Sequence, residues 1–236
     1  MGFWSGLKKL VKKVVRAVKA VVRIVVRLVI TIVNSLTLGL YDLLLGFLCW
    51  PRKRLRLHVF ICSTDGKPVA SVADVMPTIE RVKQIYKNRF NVEVRPYSET
   101  FVEIIKEPAP ASVLDYEGGA AAFGSEFGEA GDFFAKHLAG WVGIPISFTF
   151  PITVFVVRSI KDGVLGVSLS VLGDYIVISP EGVAERTALA HEMGHTCSLW
   201  HSGTQSNLMF HQSPAGDEAK WFQKNLLRSS RHVQYW

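Results

Sequence analysis

The sequence predicts an α+β domain built on a mixed sheet and preceded by N-terminal membrane helices. Three observations carry that prediction. From residue 57 onward, short β-branched runs alternate with stretches of helical spacing. One such run, 175–178, feeds directly into a helical stretch that carries two histidines four residues apart. Ahead of both, the first fifty residues are valine-rich and apolar, with a regular basic stripe.

The stripe consists of Lys8, Lys12, Arg16, Lys19, Arg23 and Arg27, which recur at steps of four and three. That period fits a helix and not a strand. So many valines form a helix poorly in water. An apolar phase is therefore expected to shape it, with the stripe against an anionic membrane surface. The alternative, packing against the protein's own core, has no acidic partner nearby in sequence to support it.

Residues 28–50 contain no basic residue. As a helix they would extend about 34 Å, enough for a bilayer core. Their apolar side chains favour insertion by roughly 6 kcal/mol, against about 3 kcal/mol for burying Asp42. The expectation is one transmembrane helix, with a hairpin bending near Gly39 as its rival. The flanking charge bias would put a single-pass protein's globular domain on the extracytoplasmic side.

The net charge of +7 is unevenly spread. Residues 1–27 hold eight Lys or Arg and no acid, and Arg52, Lys53, Arg54 and Arg56 follow. Residues 57–236 hold 15 basic and 19 acidic side chains. The basicity thus belongs to a membrane-attachment segment, 1–56, and not to the domain, 57–236. A nucleic-acid partner for the domain loses its electrostatic support. Three cysteines, Cys49, Cys62 and Cys197, give no disulfide framework, and Cys197 reads as small and buried.

Within the domain, 57–63 reads as a strand closed by the turn Asp65-Gly66-Lys67-Pro68. Residues 72–86 read as a helix whose buried face is Val75, Ile79, Val82 and Ile85. Strands are expected at 91–95 and 101–105, a long loop at 107–125, and a helix at 127–138. Strands at 152–160, 164–171 and 175–178 come next. A helix opening at Ser179-Pro180-Glu181, with proline in its first turn, runs into the two histidines. A last helix is expected at 219–227.

The chemistry is concentrated in His191-Glu192-Met193-Gly194-His195, with His201 six residues further on. Histidines at i and i+4 share one face of a helix and can reach a single ion. A catalytic zinc takes three protein ligands and keeps an open position. Glu192 is placed to take a proton from water at that position. For the third ligand, His201 leads, with His211, Asp217 and Glu218 as alternatives.

His191 through His201, followed by Ser206-Asn207-Leu208-Met209, resembles the metzincin clan of zinc metallopeptidases. The resemblance covers about twenty residues closely. It implies a metzincin-like domain with Zn²⁺ held by His191, His195 and His201. It also implies Glu192 as general base, Met209 as the methionine of the turn beneath the metal, and a peptide or protein substrate. An edge strand along the cleft, 163–171, would pair with extended peptide. Two positions depart from the pattern. Ser198 stands where the family usually has glycine at a sharp turn, so a side chain is expected at positive φ. His211 stands where some members have a tyrosine. The rival function is a membrane-active, toxin-like protein whose N-terminal helix does the work and whose metal domain is a scaffold.

Overall fold

The structure, a computed structural model, describes residues 3–138, 150–169 and 172–235, with side chains from residue 6 onward. Helix α1 (Phe3–Leu36) is followed after a turn by α2 (Leu40–Leu45). Strand β1 (Lys53–Thr64) turns through Asp65 and Gly66, both at positive φ, into β2 (Lys67–Pro68). Helix α3 (Val72–Phe90) starts from a capping box, in which Ser71 and Asp74 satisfy each other's backbone N–H groups. It stops at Asn91, which adopts the left-handed conformation. Strands β3 (Val92–Pro96) and β4 (Val102–Pro108) follow.

The stretch expected as a long loop is structured. It contains α4 (Ala111–Leu114), β5 (Asp115–Tyr116) and α5 (Ala121–Ser125), then α6 (Glu129–His137). These elements are too short to show a period in sequence. Tertiary contacts of Val113, Leu114 and Tyr116 with the sheet hold them. Strands β6 (Ile152–Val156), β7 (Ser159–Ile160), β8 (Gly166–Ser168) and β9 (Tyr175–Ile178) lead to α7 (Pro180–Ala184) and α8 (Ala188–Thr196). Of the strand expected at 164–171, residues 170 and 171 lie outside the described residues. Helix α9 (Trp221–Ser229) and β10 (Val233–Gln234) close the fold.

β1 is the axis of the sheet. Parallel β3 and β4 follow one another along one edge, and parallel β6 lies on the other. β9 pairs in parallel with β6, and β8 then pairs antiparallel with β9 and ends the described sheet. Alternate residues serve two cores, as the strand period requires. Val154, Val156, Ile176 and Ile178 face α3 and α8, while Phe155, Val157, Tyr175 and Val177 face α4 and α6.

The N-terminal segment departs from expectation. α1 runs unbroken across the expected division at residue 27, and its arginines face the domain. Arg16 pairs with Asp132 at 2.6 Å, Arg23 with Glu126 at 3.7 Å and Arg27 with Asp174 at 2.7 Å. Asp42, expected near the centre of a span, is fully buried between Lys53 at 2.9 Å and Arg228 at 2.8 Å. Among the described residues no single helix is long and apolar enough to cross a membrane, and α1 is bent by 67° against 40–48.

Candidate metal centre

The helix expected to run from Ser179 into the two histidines is two helices. Ser179 caps the first through Gly182 N–H, and the chain breaks at Glu185–Thr187. The Glu185 carboxylate then accepts from the N–H groups of Thr187 and Ala188 and so opens α8. An anion at that end also complements the helix dipole. This restart aims α8 and its histidines along the cleft. A carboxylate two and three residues ahead of the donors is a capping signal that could have been read from the sequence.

His191, His195 and His201 each offer a ring nitrogen, and the three nitrogens lie within 4.8 Å of one another. The His195 and His201 Nε2 atoms are 3.1 Å apart. His191 Nδ1 lies 2.8 Å from the Leu208 carbonyl oxygen, and His195 Nδ1 lies 2.8 Å from that of Leu199. A carbonyl only accepts, so each Nδ1 carries the hydrogen and each Nε2 keeps its lone pair. Burial lowers the pKa of all three rings and takes His195 down to about 4. Neutral imidazoles are the form a metal requires, so the donor set fits an ion.

The turn that brings His201 back is made at Ser198, with φ of 71°. A side chain is thus accommodated at the left-handed position where the resemblance has glycine. Beneath the histidines lies fully buried Met209, fixed by its N–H donating to Asn207 Oδ1 at 2.9 Å. It packs so closely under α8 that a Cβ added at Gly194 would come within 2.5 Å of its sulfur.

Glu192 projects from α8 into a cleft of about 670 Å³ that His191, His195, His201 and β8 also line. Burial pushes its carboxyl up to about 7, while Ser168 works in the opposite sense. A Cβ added at Gly166 would lie 2.9 Å from Glu192 Cγ, so glycine there leaves room for the acid. Gly166 and Ser168 are on the edge strand, and nothing local in the sequence marks them.

His211 lines the same cleft beside the Phe210 ring but is not part of the triad. Asp217 is engaged by Arg81 and Arg89, and Glu218 accepts from the Ser206 hydroxyl at 2.7 Å. Cys197 is fully buried, which pushes its thiol up to about 12.

No family model and no curated protein matches the chain. Among solved structures, metalloproteinase-II from Bacteroides fragilis is similar at a TM-score of 0.53 with 13% sequence identity, over 76% of this chain and 53% of that one. The chain therefore spans about half the length of that metalloproteinase. The structure of a chaperone-substrate complex is similar at a TM-score of 0.44 with 13% identity, over 75% of this chain and 34% of that one. The class these findings define is an α+β protein with a metalloproteinase-like mixed sheet and a histidine triad able to hold a metal ion.

Proposed function

We propose that this protein is a membrane-attached, zinc-dependent metallopeptidase acting on peptide or protein substrates. Residues 57–236 form the peptidase and residues 1–56 attach it. The observation that carries the reading is the convergence of three neutral imidazoles and one half-buried carboxylate at a single cleft.

His191, His195 and His201 would hold the ion through their ring nitrogens, with Met209 packed beneath them. When bound, zinc supplies Lewis acidity to the scissile carbonyl and makes water more acidic. Glu192 takes the proton from the attacking water and passes it to the leaving nitrogen. The edge strand β8 offers backbone groups to an extended peptide, which would lie beside Glu192.

The test is metal analysis of the purified full chain, followed by cleavage of a peptide library with and without chelator. One equivalent of zinc and chelator-sensitive cleavage are expected. A chain that binds no zinc, or whose cleavage survives chelation, would refute the proposal.

A further inference from the structure

α1 turns its faces the opposite way from a helix at the surface of a water-soluble protein. Its inward stripe is Arg16, Ala20, Arg23, Arg27 and Asn34. Its outward face is apolar and open: Val14, Val18, Val21, Val25, Val29 and Ile32 are each at least half exposed. The apolar surface continues past the turn through Leu44 and Leu48 to Trp50. Trp221 of α9 joins it, with its ring 6.5 Å from that of Phe47. Contiguous apolar surface on this scale marks an interaction site.

We propose that α1, α2 and the turn after them lie in the plane of one leaflet of an anionic membrane. The valine face enters the acyl region and the arginine face stays on the protein. The inference rests on reading residues 1–56 as the attachment segment and specifies how that segment attaches.

Three observations select this occupant and this geometry. The first is charge. Residues 1–41 contain no acid, and Lys8, Lys9, Lys12, Lys13 and Lys19 are exposed. The domain's acids neutralise Arg16, Arg23 and Arg27, so the lysines remain to meet anionic headgroups. A second copy of the chain would bring like charges together instead.

The second is direction. The three ion pairs fasten α1 along its length to the domain surface, so the helix cannot stand upright in a bilayer without breaking them. At 34 residues it is about 50 Å long, well beyond a hydrocarbon core of roughly 30 Å. The third is the rim. Exposed Trp50 and Trp221 sit where the apolar surface meets the polar domain, the depth that tryptophan prefers at a membrane interface.

The experiment uses the full chain with vesicles of neutral phosphatidylcholine alone or mixed with anionic phosphatidylglycerol. Flotation is expected with the anionic vesicles and is weakened by salt. In a Cys49→Ser background, single cysteines replacing Val14, Val21, Val25 and Ile32 carry a fluorophore read against lipids quenched at known depths. All four positions should report one shallow depth, about 5–10 Å below the headgroups. V18D with V25D should lower flotation by about tenfold or more while bound zinc is unchanged. A depth that runs steadily with residue number overturns the in-plane geometry but leaves attachment standing. Absence of flotation overturns both, whether the protein is then monomeric or paired through these faces by light scattering.

Discussion

α8 and α1 each carry basic side chains three or four residues apart on one face, and the two stripes meet very different surroundings. On α8, His191 and His195 open onto a cleft and are joined by His201 from beyond a turn. On α1, Arg16, Arg23 and Arg27 are pressed against acids from three separate parts of the domain, and the apolar side looks outward. Helical period says which residues share a face. It does not say which way the face points, because the partners that decide this are elsewhere in the chain.

The sharpest test of the α8 side is His201→Ala. It should lower zinc affinity by about two orders of magnitude or more in chelator competition, whereas Glu218→Ala should leave affinity unchanged. The reverse ranking would move the third ligand to the later acid. Next in size is Glu192→Gln. It should keep stoichiometric zinc and lower peptide hydrolysis by roughly 10²–10⁴. Loss of zinc in that variant would instead make Glu192 a structural partner of the site.

On the α1 side the corresponding test is Asp174→Asn. Burial alone would raise this carboxyl, but Arg231, Arg27 and His232 overcome that and hold it well below the usual carboxylate range. Removing its charge takes the carboxylate away from Arg27, which is almost fully buried, and removes one ion-pair partner of buried Arg231. The expected loss is about 3–5 kcal/mol in urea unfolding. A loss below 1 kcal/mol would mean that the helix is held by something other than these pairs.

Beneath the metal centre, Gly194→Ala should cost about 1–3 kcal/mol, because the new methyl runs into Met209. Gly203→Ala, where nothing lies within 4 Å, should cost almost nothing. Equal effects would show that the packing under α8 yields. The last test is one of pH. Burial takes His232 down to about 3. From about pH 6.5 downward the unfolded chain therefore takes up a proton that the folded chain refuses, and stability falls by roughly 1.4 kcal/mol per pH unit until about pH 3. Above pH 6.5 this group contributes no slope. His232→Gln should flatten the slope of stability against pH, and unchanged slopes would refute the assignment.

Much of the α8 half was legible because its signals are local. The strand 175–178 appears with those bounds, and the i, i+4 histidines do share a helix face. The positive φ expected at Ser198 is also present. What was not legible depends on distant partners. Asp132, Glu126 and Asp174 lie more than a hundred residues from the arginines they meet, so a search for acids near the stripe could not find them. Asp42 read as a costly charge in an apolar run because Lys53 and Arg228 are its neighbours only after folding. The break between α7 and α8 was missed because the apolar period continues across it. Gly166 and Ser168 acquire their meaning only when β8 is laid beside Glu192.

The central position of β1 has a mechanical consequence. The strand begins at Lys53, just after the N-terminal segment, and is hydrogen-bonded along both edges to β3, β4 and β6. A tug on the first fifty residues would meet the arginine pairs of α1 and then the lock of Asp42 with Lys53 and Arg228. Beyond that lock the load would run lengthwise down β1, straining its rungs on both sides together and not peeling them one at a time. The strand that organises the fold is therefore also the one that would bear tension between the N-terminal helix and the rest of the domain.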